Sequence, residues 1–155
     1  ERLVDLYVEL TNACLAGRPA GMVAGFHICR GNLKGTWLSQ GGYAAVAEKL
    51  FRRLAVDVFF LEYDTARAGG FAPLAAVPDD KAVILGLVSS KSPVLENPAE
   101  MKTRIREAAR YVPLDRLGLS PQCGFSSAVV GNPVTADDQA AKLRLVIETA
   151  REVWN

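Results

Sequence analysis

Four side chains in this sequence have the types and spacing to hold a metal ion. His27 and Cys29 stand two residues apart at the end of the apolar run 22–29, Glu62 closes the Val- and Phe-rich run 56–62, and Cys123 follows Ser-Pro-Gln at 120–122. In a strand, residues i and i+2 project to the same face, so His27 and Cys29 can clasp one ion from one element. One imidazole nitrogen, two sulfurs and one carboxylate oxygen make a tetrahedral zinc set, with the carboxylate as the ligand to be displaced. A displaceable fourth ligand suits a site that takes up a thiol and holds it as a thiolate, the chemistry of an alkyl transfer. His27 is the only histidine, so no Ser/His/Asp set is available, and no phosphate-cradling glycine motif occurs.

For these four to meet, they must sit at equivalent ends of neighbouring elements. Residues 22–29, 56–63, 81–89 and 116–120 read as strands, the third continuously apolar through Val83, Ile84 and Leu85, as when both faces are buried. Helical patterns alternate with them. The opening segment carries Leu3, Leu6, Tyr7, Leu10 and Cys14 at helical spacing and stops at Gly17 and Pro19. A helix is expected from about 43 to 54, and a short turn around Leu74 within the glycine- and proline-broken stretch 66–78. Asn97 is placed to cap a helix with Pro98 at its first position and Glu100 completing a capping box, its inner stripe being Met101, Ile105, Ala108 and Val112. Thr135 with Asp138 starts the last helix, whose apolar face is expected to be Leu143, Val146, Ile147, Ala150 and Trp154.

Alternating strands and helices predict an α/β fold with a parallel sheet. Four such units, preceded by a helix, are half of a (β/α)₈ TIM barrel, which typically takes about 250 residues. The metal-capable residues all fall at strand C-terminal ends, the face where barrel enzymes keep their sites. The 155 residues read as a single domain, 1–155, and the start without Met at Glu1-Arg2-Leu3, inside a helical pattern, leads to the expectation of a fragment of a longer protein or a processed product. Half a barrel leaves two sheet edges and an apolar inner face, so a partner is expected: the missing N-terminal half, or a second copy as a homodimer.

Half the residues are apolar and the net charge is +1 with acids and bases interspersed, which points to neither nucleic acid nor an anionic membrane. The three cysteines are not spaced as a disulfide framework and fit a reducing, cytoplasmic setting. No apolar run approaches the ~18 residues of a membrane span.

Five segments occur in order: Phe26-His27-Ile28-Cys29-Arg30-Gly31-Asn32, Gly41-Gly42-Tyr43, Leu61-Glu62-Tyr63-Asp64, Leu87-Val88-Ser89-Ser90-Lys91 and Ser120-Pro121-Gln122-Cys123-Gly124-Phe125. Together they resemble the C-terminal, zinc-binding half of the cobalamin-independent methionine synthase family, and more closely its shorter bacterial and archaeal paralogues. The resemblance implies Zn²⁺ held by His27, Cys29, Glu62 and Cys123. It further implies homocysteine bound to the zinc as a thiolate and methylated by 5-methyltetrahydrofolate (polyglutamate) or a related donor, giving methionine. The family carries a histidine acid before a Ser-Pro pair; here Lys91-Ser92-Pro93 stands there. The acid is then Lys91, a bound water, or a residue outside this segment. Glu62 and Ser89 are candidate substrate contacts. Two alternatives stand beside this one: another zinc-dependent thiol alkyltransferase, with coenzyme M as acceptor, and a non-catalytic zinc-binding half barrel.

Each residue also has a structural reading. His27 and Cys29 alone could be core residues, and Glu62 a salt-bridged carboxylate with Arg67 as its partner. Lys91 could be a solvated loop lysine. Ser89 and Ser90 point to opposite faces, so at most one looks inward. Cys14, Trp37 and Trp154 read as packing residues, while Asp64 and Arg67 shape the loop after their strand.

Overall fold

The computed structural model describes residues 2–155. Its centre is a four-stranded parallel sheet in sequential order, β1 (Gly25–Ile28), β2 (Val58–Glu62), β3 (Ala82–Val88) and β4 (Leu117–Pro121). This is the expected α/β half barrel. Phe59, Leu61, Val83, Leu85 and Leu87 face the helical layer and are essentially sealed from solvent. Each such side chain contributes roughly 1.5–3 kcal/mol when buried. The opposite, inner face is open: Phe60, which pairs with His27 across β1 and β2, remains 38% exposed.

The helices are α1 (Arg2–Leu15), α2 (Ala47–Arg53), α3 (Pro98–Ala108) and α4 (Ala136–Trp154), with short 3₁₀ turns at Ala66–Ala68, Ala72–Ala76 and Leu114–Arg116. The Glu1 part of the expected opening helix lies outside the described residues. Asn97 caps α3, its side chain accepting from the Ala99 and Glu100 amides, and Thr135 with Asp138 forms a full capping box on α4. Met101, Ile105, Ala108 and Val112 are buried as expected. Among the described residues, no helix is long and apolar enough to cross a membrane.

Two helices are rotated from the faces their hydropathy predicts. On α1 the buried residue is Val8, with Val4 and Leu15 packed beside it, while Leu3, Leu6, Tyr7 and Leu10 stay between 47% and 58% exposed and Cys14 is exposed as well. Polar anchors set that rotation. Asp5 pairs with Lys49 (2.7 Å) and Arg53, and Asn12 bonds the Arg53 carbonyl and the Ala55 amide at 2.7 Å each. On α4 the buried face is Lys142, Leu145 and Thr149, with Val146 and Trp154 packed against the core as expected, whereas Leu143 and Ile147 are exposed. Lys142 is drawn inward because its ammonium donates to the Val94 carbonyl (2.5 Å) and to Glu96 (3.1 Å). A lysine counted as polar thus occupies a core position that hydropathy assigns to its apolar neighbours.

The sheet register shifts between Gly86 and Val88, where β3 meets β4. There the Gln122 amide donates to the Val88 carbonyl at 2.8 Å, which carries the chain toward Cys123. A Cβ on Gly86 would lie 2.8 Å from Gln122 Cα and 3.0 Å from the Leu61 carbonyl oxygen, both backbone atoms that cannot swing aside. Gly86→Ala should therefore cost about 1–3 kcal/mol by overpacking, read as a lower denaturant midpoint. It should also displace Cys123 and weaken metal uptake.

Candidate metal centre

His27 lies one residue before the end of β1, Cys29 just beyond it, and Cys123 two residues beyond β4. Two strands separate β1 from β4, roughly 14 Å at the usual inter-strand spacing, so only a sheet curved around its inner face can bring them together. It does: one ligand atom from each of His27, Cys29 and Cys123 lies within 4.8 Å of the others. Cys123 Sγ is 3.5 Å from His27 Nε2. A tetrahedral zinc with Zn–S about 2.3 Å and Zn–N about 2.1 Å spaces its ligand atoms by roughly 3.5–3.8 Å, so the trio fits that ion and leaves its fourth position to be filled. The trio lines a cleft of about 510 Å³ on the inner face, beside Phe60, Gly86 and Gln122.

Around the trio, the electrostatics suit a bound cation. His27 has its pKa lowered by desolvation, against an opposing pull from Glu62, so its imidazole is neutral and can act as a donor ligand. The Cys123 thiol is pushed up to about 12, first by burial and then by the neighbouring Cys29 sulfur. Two sulfurs this close resist ionising together unless a positive charge sits between them.

Glu62 does not join the trio. It is 1% exposed, and its carboxylate is fully engaged. Oε2 accepts from the Arg30 amide (2.6 Å), and Oε1 accepts from Trp37 Nε1 (3.1 Å) and Lys91 Nζ (3.2 Å), with the Arg30 guanidinium 3.6 Å away. Glu62 is thus a salt-bridged carboxylate, but Arg67 is not its partner; Arg67 stacks on the Trp37 ring at 4.8 Å. Lys91 is likewise no solvated loop residue, being 5% exposed against Glu62.

Of the two serines, Ser90 is the one turned toward the site. Its hydroxyl donates to Gln122 Oε1 (2.5 Å) and accepts from Asn32 Nδ2 (3.2 Å). Ser89 instead lines a separate cleft with Asp64, Trp37 and Glu96, and its amide donates to Glu96 (2.8 Å). The loop bearing Cys123 is tied down by Asn132, which donates to the Ser90 carbonyl (2.9 Å), and by Ser127, which donates to the Asn32 carbonyl (2.5 Å).

Arg30, Trp37, Tyr43 and Gln122 carry more of this site than their residue types announce. Tyr43 packs its ring under the Arg30 guanidinium (4.5 Å) and donates its hydroxyl to the Ile28 or Glu62 carbonyl, at 3.0 and 3.1 Å. Burial raises its pKa to about 12, so it stays a neutral donor. In the sequence, Arg30, Tyr43 and Gln122 stand within the segments that carry the family resemblance but have no assigned role, and Trp37 reads only as a packing residue.

Known proteins share this architecture. Residues 27–151 match the catalytic domain of the cobalamin-independent synthases. The uncharacterised proteins YxjG and YxjH of Bacillus subtilis are 50% and 49% identical over 99% of this chain, which covers 41% of each. The 2-hydroxypropyl-CoM lyase of Xanthobacter autotrophicus is 28% identical over 78% of the chain and 39% of its own length. The chain thus spans about two fifths of the length of the curated relatives it matches. A solved Listeria monocytogenes protein, provisionally named a vitamin-B12 independent methionine synthase, superposes with a TM-score of 0.78 at 40% identity, over 100% of this chain and 42% of that one. The chain belongs to the cobalamin-independent synthase family.

Proposed function

We propose that this chain is the zinc-bearing half of a methyltransferase of the cobalamin-independent methionine synthase type, with homocysteine as acceptor and 5-methyltetrahydrofolate or a related methyl-folate as donor. The observation that carries the reading is the convergence of His27, Cys29 and Cys123 from two separated strand ends onto one point of an open cleft. Three protein donors and a vacant fourth place are the pattern of a catalytic zinc site, in contrast to the closed four-ligand structural ones. Zinc held there supplies a cation on which an incoming thiol, ordinarily of pKa about 8.5, stays deprotonated at neutral pH.

The chain's own groups have separate tasks. His27 enters as a neutral donor, its proton already disfavoured by desolvation. Cys29 and Cys123 supply negative charge that makes a bound sulfur electron-rich. The curved inner face holds acceptor and donor at one place, which raises their effective concentration. Lys91 lies close enough for its charge to bear on both His27 and Cys123. The leaving amine takes its proton from Lys91, from a water, or from a residue beyond this chain. Strands from the same polypeptide or from a second copy close the barrel against the unpaired edges of β1 and β4.

The likeness to 2-hydroxypropyl-CoM lyase favours a second reading, zinc–thiol chemistry with coenzyme M as acceptor. Product analysis with each thiol and methyl-folate separates the two. Methionine from homocysteine supports the first, and alkylation of coenzyme M alone the second.

Two outcomes test the metal assignment. The protein should carry one zinc per chain by elemental analysis, and Cys123→Ser should lose it under mild chelation; full retention would exclude Cys123 as a ligand. The second concerns pH. The Cys123 proton must leave for the metal to bind, and its pKa of about 12 lies above the working range. Apparent zinc affinity should then fall by at least about tenfold per unit as pH drops from 8 to 6. An affinity flat across that range would contradict thiolate ligation.

A further inference from the structure

The cleft beside the His27–Cys29–Cys123 trio holds a second set of polar groups, which the metal reading does not use. Gln122 is 1% exposed, and Ser90 is sealed from solvent. The Ser90 amide donates to Gln122 Oε1 at 3.2 Å, which fixes that atom as the oxygen of the side-chain amide, since a backbone N–H can only donate. The Ser90 hydroxyl therefore also donates to Oε1, at 2.5 Å, and its oxygen is left to accept from Asn32 Nδ2 at 3.2 Å. One serine thus sets the direction of both amides. Their other ends, Gln122 Nε2 and Asn32 Oδ1, are buried and meet no hydrogen-bond partner among the described residues. Burial without a partner costs each of them its hydration, a cost that a ligand with the complementary groups recovers.

The surroundings narrow the kind of ligand. Asn32 and Gln122 both line the cleft, and among the described residues that line it none carries a carboxylate, an ammonium or a guanidinium. The ammonium and carboxylate of an amino acid would find no counter-charge there, a poor exchange for leaving water. A neutral edge with one acceptor and one donor side by side, as in the C=O and N–H of a lactam, matches the two free amide ends. Phe60 also lines the cleft and is 38% exposed, an aromatic ring on which a flat heterocycle can stack.

We propose that Gln122 and Asn32, aligned by Ser90, hold the lactam edge of the methyl donor's heterocycle beside the metal site. Gln122 Nε2 donates to the ring carbonyl, and Asn32 Oδ1 accepts from the neighbouring ring N–H. The proposal rests on the methyl-folate reading given above, and it leaves the charged head of the thiol substrate to groups outside this cleft. Ser90 is a positioning residue, since it acts through the two amides.

The test is equilibrium binding to the zinc-loaded, full-length polypeptide that carries this chain. The two probes are 5-methyltetrahydrofolate and its 4-amino analogue, whose ring presents an amino donor and a bare acceptor nitrogen in place of the carbonyl and N–H. The parent should prefer the lactam form by at least about tenfold, as when a mismatched ligand leaves buried polar groups unpaired. Gln122→Glu keeps an oxygen toward Ser90 and turns the free end into an acceptor, so it should erase or invert that preference. Ser90→Ala releases both amides and should weaken the lactam form. Neither variant should alter homocysteine affinity, which a merely structural role would lower as well. Asn32→Ala removes the acceptor from a half-buried position and should narrow the preference; it decides the matter should Gln122→Glu fail to fold. Equal affinity of the parent for the two probes would overturn the proposal and leave the methyltransferase reading standing, as would variants that lose homocysteine and folate alike. A zinc-loaded parent that binds homocysteine but neither probe removes the methyl-folate reading together with this proposal.

Discussion

The site end of this sheet depends on one buried carboxylate. Glu62 terminates β2 and is bonded by the amide that follows Cys29, by Trp37 in the loop after β1, and by Lys91 beyond β3. Three separate segments are thereby tied to one point beside Cys29 and Cys123. A buried carboxylate is tolerated only when its lone pairs are filled and its charge is met, and here both conditions hold. Because the Arg30 amide belongs to the residue after Cys29, any shift of Glu62 also shifts the strand end that carries His27 and Cys29. The His27–Cys29 strand end and this ion pair therefore form one mechanical unit.

The rest of the fold serves to curve the sheet around that unit. The helices cover one face only, and the register shift at Gly86 lets the chain after β4 return toward β1. The inner face, the free edges of β1 and β4, and the outward apolar side of α1 together have the form of half a closed barrel. In a complete barrel the trio would lie at the bottom of a mouth lined by both halves, which suits a reaction that must exclude water from an electron-rich sulfur.

Much of this could be read from the sequence, for identifiable reasons. The strands were legible because continuous apolar runs such as Val83–Leu85 arise where both faces of a sheet are covered. The cap residues Asn97 and Thr135 marked helix starts because their short side chains satisfy free amides there. His27, Cys29 and Cys123 were legible because period-two spacing and strand-end placement put donors on one face. Three features were not. The rotation of α1 is set by Asp5 and Asn12 and that of α4 by Lys142, polar residues whose inward bonds a hydropathy pattern cannot register. Glu62 was legible as a functional carboxylate at a strand end, but its pairing with Lys91 in place of Arg67 depends on loop paths that no local pattern encodes. Ser90 and Gln122, in place of Ser89, face the site because the chain bends after Val88.

Zinc-edge X-ray absorption on the full-length protein, before and after adding homocysteine, tests the central claim most directly: that His27, Cys29 and Cys123 hold zinc with one position reserved for a thiol. The expected result is a resting shell of two sulfurs, one imidazole nitrogen and one light-atom ligand, with that light atom replaced by a third sulfur on adding homocysteine. A shell that stays the same with homocysteine and with every other thiol tried would make the site structural, contradicting the transferase reading.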